Sequence, residues 1–131
     1  MRLILTALAA TLIISTSASA KPPLRDVAEI DDVVMAVAIA DEIRKSCDGI
    51  NARLVRAYTT INSLKSLALE RGYTEEEVED YVTSKSEKKR MRAKAEGYLK
   101  SKGVPLGSTA ALCRFGESEI AAQTQIGRLL R

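Results

Sequence analysis

Apolar residues along most of this chain recur every three or four positions, and nowhere do they alternate as a strand would. Ile30, Val33, Val37, Ala40, Ile43 and Cys47 share one helical face, and Val34, Met35, Ala38 and Ile39 widen it. The first helix is therefore expected to be the most buried element. Asp26 with Glu29 reads as a capping box, Asp31-Asp32 as a slightly later start, and Gly49 as a left-handed stop. A second helix is expected over 51–71, with Leu54, Tyr58, Ile61, Leu64 and Ala68 as its apolar stripe. Gly72 followed by Tyr73 fits a Schellman stop. Thr74 with Glu77 opens a short third helix carrying Val78, Tyr81 and Val82, and acids at 75–77 suit its N-terminus. Ser84 with Glu87 opens a fourth over 85–102, whose apolar positions are sparse: Met91, Ala95, Tyr98 and Leu99. Gly103 ends it, and 104–107 is a loop. Ser108 caps a last segment with Leu112, Cys113, Phe115, Ile120, Ile126, Leu129 and Leu130, in which Gly116 and Gly127 mark either close packing or a break. The pattern holds no internal repeat.

The N-terminus follows a different pattern. Met1-Arg2 is a minimal basic start, and Leu3 to Ile14 is uncharged, interrupted only by Thr6 and Thr11. Ser15 to Ala20 is small and polar, ending Ala18-Ser19-Ala20, the small-x-small pattern of a cleaved export signal. The expectation is a signal peptide at 1–20, cut before Lys21, and a single domain at 21–131. The apolar run is shorter than the roughly 20 residues that cross a bilayer. The later chain offers nothing longer than 33–40, so the mature chain is expected to carry no transmembrane segment and to be periplasmic or secreted.

Export changes the reading of Cys47 and Cys113, the only two cysteines. In an oxidising compartment an even count favours a disulfide. Redox pairs usually sit close together, as in Cys-x-x-Cys, and these are far apart, so a structural bond is expected. Such a bond places the start of the last helix against the exit of the first, in antiparallel pairing. The expected fold is all-α: a small irregular bundle of about five helices, stapled by one disulfide.

Composition narrows the chemistry. Twenty Lys+Arg stand against 17 Asp+Glu, a net charge of +3, too balanced to suggest nucleic acid binding. With no histidine, the chain lacks the usual neutral-pH base and the usual transition-metal ligand. No cofactor, metal site or catalytic residue is expected. The main charge feature is the basic run 85–94. At helical spacing Lys85, Lys88, Lys89 and Arg92 share one face, while Met91, Ala95 and Tyr98 share another. That basic face is either a docking surface for an envelope protein or an anionic surface, or a solvated face beside the acidic third helix. Asp31, Asp32, Asp41 and Glu42 flank the apolar face of the first helix and are read mainly as caps and surface charge; paired carboxylates for acid–base work, or for a hard cation such as calcium, are the alternatives. Tyr58, Tyr73, Tyr81 and Tyr98 are read as core or rim aromatics, and Arg44 with Arg53 as walls of a small anion pocket.

The stretches 21–30, 38–45 and 125–130, with Gly72-Tyr73-Thr74 and both cysteines, resemble a family of small exported alphaproteobacterial proteins of unknown function. The resemblance implies an envelope protein with paired cysteines, and it brings no activity or catalytic residue. Three functions remain open: a non-enzymatic periplasmic binding or adaptor protein, which leads; a stress-protection or chaperone-like protein; and a carboxylate-dependent enzyme acting on an envelope polymer. Oligomeric state is not legible.

Overall fold

A computed structural model describes residues 20–131; residues 1–19, and with them the expected signal peptide, lie outside the described residues. Among the described residues five α-helices follow one another: α1 Ala28–Ser46, α2 Leu54–Glu70, α3 Glu75–Thr83, α4 Lys85–Ser101 and α5 Thr109–Ala122. Short 3-10 turns stand at Leu24–Asp26 and Gly127–Leu129. The all-α bundle with one disulfide is the fold expected from the sequence pattern.

The boundaries follow local chemistry where a single residue can enforce them. Thr74 and Glu77 form a complete capping box at the start of α3. Gly72 takes φ +87°, and its N–H and that of Tyr73 bond back to Leu69 and Ala68, closing α2 in the Schellman pattern. Gly103 ends α4 the same way. Ser108 accepts from the Ala111 N–H and caps α5. Three expectations are corrected. Asp26 lies inside the first 3-10 turn, so α1 starts without a side-chain cap at Val27. Gly49 does not stop α1; the helix ends at Ser46, and Cys47 turns into extended backbone toward its disulfide partner. Ser84 caps α4, but the Glu87 side chain turns away to Arg25 and Arg90, leaving only half a box.

The main core gathers on α1. Ala36, Ile39, Ala40 and Ile43 meet Met91 and Leu99 of α4, Leu112 and Phe115 of α5, and the tail residues Ile126, Leu129 and Leu130. A smaller cluster joins Leu24 and Ile30 to Ala68 and Tyr73. Cys47 and Cys113 are bonded, with Cα atoms 5.6 Å apart. Gly116 faces Ile43 and Ile50, and Glu119 shares a cavity wall with Asp32, Met35 and Ala36, so α5 runs antiparallel to α1. The tail then crosses the linker between α1 and α2. Asn51 and Arg131 exchange backbone hydrogen bonds of 2.8 Å, and Arg53 N–H donates to Leu129. This pairing and the pinned Cys47 keep α1 and α2 apart as two helices.

The break in the last segment falls at Gln123, in the left-handed region at φ 52°. Gly127 answers to close approach instead: a Cβ there would lie 1.8 Å from the Glu119 carbonyl oxygen. Gly127→Ala must therefore push the tail off α5. A loss of about 1–3 kcal/mol in urea unfolding is expected, larger than the effect of the same change at Gly97, which has nothing within 4 Å of its Cβ position.

α2 departs most from expectation. Leu64 and Ala68 of the expected stripe turn inward, but Leu54, Tyr58 and Ile61 are exposed, and Ala57, Thr60 and Leu67 take the inward places instead. Both sets have helical spacing. The docked tail at one end and the Gly72 turn at the other select the second.

Candidate functional site

α4 divides its basic residues between two environments. On the inner side Arg90 and Lys94 reach Asp31 of α1, whose side chain is only 2% accessible. Arg90 donates to both carboxylate oxygens at 2.6 and 3.1 Å, Lys94 to one at 2.5 Å, and the Tyr81 hydroxyl to the other at 2.6 Å. Lys94 also bonds Asp32 at 2.6 Å, and Arg90 bonds Glu87, which accepts from Arg25 as well. Burial alone would raise the Asp31 pKa; the donors from Arg90, Lys94 and Tyr81 overcome it and hold the group at about 2. Burial, then the Asp31 charge, push the Tyr81 phenol upward, so it stays a neutral donor. Through these bonds Arg25 meets Glu87, Arg90 meets Asp31 and Lys94 meets Asp32, so α1 and α4 run in the same direction.

On the outer side Lys85, Lys88, Lys89 and Arg92 are exposed, and none is in an ion pair among the described residues. Of the acids on the third helix, Glu77 pairs with Lys21 and Glu75 with Lys65, and none forms an ion pair with this face among the described residues. Beside this face lies an open groove of about 1000 Å³ between α1, α4, the end of α3 and the 104–109 loop. Val34, Ala38, Met91, Ala95 and Leu112 supply apolar lining. Lys88 and Arg92 stand on one wall, Asp41 and Glu42 on the other. Val82 and Leu106 also line it, 47% and 60% accessible.

Asp41 is held below its ordinary range: burial opposes, but hydrogen bonds from Lys45 and Arg44 prevail. Glu42 accepts from Ser46. Asp31 is buried rather than a surface charge, and it is fully occupied by donors. Asp31 and Asp41 are thus each held in the ionised form by two cations. Among the described residues no three cysteines or carboxylates converge as a cation site requires. Arg44 pairs with Asp41, and the Arg53 Nε donates to the Leu130 carbonyl, so the two arginines do not form an anion pocket. Tyr73 is in the core and bonds the Pro22 carbonyl, Tyr81 bonds Asp31, and Tyr98 packs at the core edge; Tyr58 is exposed. The Asp31 network was missed at the sequence level. Its one visible signal was an acid inside the apolar stripe of α1, four residues before Met35, facing a helix otherwise poor in apolar positions.

Fold and site together define a disulfide-stapled helical protein with an open, charge-flanked groove. Residues 22–131 match the model of the family of unknown function DUF5333, and the chain belongs to that family. No curated protein and no solved structure gives a significant match. No helix among the described residues is long and apolar enough to cross a membrane.

Proposed function

We propose that the protein is a non-enzymatic binding or adaptor module of the periplasm, which holds an acidic, amphipathic segment of a partner protein in the groove between α1 and α4. The observation that carries this reading is the placement of unpaired Lys88 and Arg92 on the wall of an open apolar groove. Packing had every opportunity to neutralise the basic run and did so only at Arg90 and Lys94. An amphipathic helix laid in such a groove buries its apolar stripe while its acids meet the cations. Asp41, on the opposite wall, is already satisfied by Arg44 and Lys45, while Glu42 and Glu96 also line the groove and fix where the partner's acids cannot lie. Periplasmic placement is supported by the leader-like pattern at 1–20 and by the disulfide.

The test is site-specific photocross-linking in cells, with the probe at Val82 or Leu106 beside the groove and a control probe at Thr59. The expected result is one partner captured from both groove positions and not from Thr59, through a peptide rich in acids and apolar residues. Lys88→Glu with Arg92→Glu should reduce capture about tenfold or more, since like charges then face the partner's acids. Equal capture by the charge-reversed protein, or no capture from either groove position, rejects the reading.

A further inference from the structure

α2 carries a second unpartnered surface, which shares no residue with the groove. With only Ala57, Thr60, Leu64, Leu67 and Ala68 turned inward, most of the helix surface faces solvent as an open ridge. Its N-terminal half exposes Leu54, Val55, Tyr58 and Ile61 at 72, 82, 68 and 50% of their surface. These positions lie along one side of the helix.

The charge around them is one-sided. The chain has no acid between Asp48 and Glu70, and none after Glu119. The fold lays these two acid-free stretches together. The Arg53 Nε donates to the Leu130 carbonyl at 2.9 Å, and an Arg56 Nη lies 3.5 Å from the Arg128 carbonyl. Arg53 and Arg56 thus reach from α2 to the backbone of the tail, where Arg128 is exposed with its Nε bonded to the Gln123 carbonyl, and none of the three is in an ion pair among the described residues.

We propose that this ridge docks on the surface of a bilayer containing anionic lipid. Leu54, Val55, Tyr58 and Ile61 enter the boundary between headgroups and acyl chains, and Arg56 and Arg128 meet the phosphates. Apolar burial and the attraction of several cations together give reversible binding, where either alone is weak. A tyrosine at that depth keeps its ring in the apolar layer and its hydroxyl in water. A second copy of the chain would instead set ridge against ridge, with arginines on both sides and no acid to meet them.

Cosedimentation of the protein lacking residues 1–20 with lipid vesicles tests the assignment. Binding is expected with vesicles of mixed phosphatidylglycerol and phosphatidylcholine, about tenfold or more weaker with pure phosphatidylcholine, and falling as salt rises. Val55→Ser with Tyr58→Ser, and Arg56→Glu with Arg128→Glu, should each weaken it about tenfold. Lys88→Glu with Lys89→Glu should change it less than about twofold, which also separates this face from the groove. In the unaltered protein, added vesicles should slow hydrogen exchange in α2 before any other helix. The proposal is overturned if the unaltered protein stays in the supernatant. It is overturned if only the Lys88/Lys89 variant loses binding, or if the ridge variants instead abolish a lipid-independent dimer.

Discussion

Asp31→Ala should cost about 3 kcal/mol of stability, the low end for breaking a buried ion pair, because Arg90 and Lys94 lose the buried acceptor they share and keep only Glu87 and Asp32. The Tyr81 hydroxyl loses its acceptor in the same step. Asp31→Asn keeps the shape but not the charge and should recover only part of the loss. The informative control is the triple change Asp31→Leu, Arg90→Met and Lys94→Met. Removing the whole set exchanges desolvated charge for apolar packing, so it should be markedly less damaging than Asp31→Ala alone. Guanidinium unfolding followed by circular dichroism measures all three. Equal losses in the single and triple variants would show that the site is held by shape rather than by charge.

The same group sets an acid limit. Its folded pKa of about 2 lies below the ordinary 3.8, so the ionised form is favoured by folding. The contribution is complete above the unfolded value and disappears as pH falls through about 2. The shift corresponds to about 2 kcal/mol. Unfolding free energy should therefore decline between pH 4 and pH 2, and Asp31→Asn should flatten that part of the profile. A profile of unchanged steepness in the variant would assign the acid sensitivity elsewhere.

Loss of the Cys47–Cys113 bond is the second large effect. The bond closes a sequence separation of 66, for which chain entropy gives about 4 kcal/mol as an upper figure. Cys47→Ser with Cys113→Ser, or reduction of the native protein, should lower stability by about 2–4 kcal/mol. The loss should be local as well as global. The bond joins the exit of α1 to the first turns of α5, next to the linker on which the tail is docked. Hydrogen exchange at Asn51, Arg53 and Arg131 should therefore accelerate more than exchange at the Thr74 cap of α3. Unchanged unfolding after complete reduction would mean that the α1–α5 packing is sufficient alone.

Capping and turn chemistry was legible wherever it depends on neighbours within four or five residues. Thr74 with Glu77, Ser108, and Gly72 followed by Tyr73 behave as their types predict, since each satisfies backbone groups of its own helix end. Glu87 marks where that logic stops. Its spacing from Ser84 is that of a capping box, but Arg25 and Arg90 offer stronger, charged donors from outside the turn. The groove was half legible. Lys85, Lys88, Lys89 and Arg92 share a face by arithmetic alone. That Arg90 and Lys94 are withdrawn into a buried network, and that an apolar cleft opens beside the others, depends on α1 lying alongside.

What the sequence by itself determined is the helical class, the helix ends marked by local caps, and the two cysteines that staple the bundle. These follow from periodicity, from backbone hydrogen bonds that must be satisfied nearby, and from the chemistry of a single pair. Tertiary structure alone decided which of two apolar stripes on α2 faces inward, and whether an acid in the stripe of α1 is a surface charge or a buried anchor. It also decided which lysines and arginines remain free to meet a partner. Each of those choices is an energy difference between competing partners distant in sequence, and neither periodicity nor charge count ranks such partners before they are brought together.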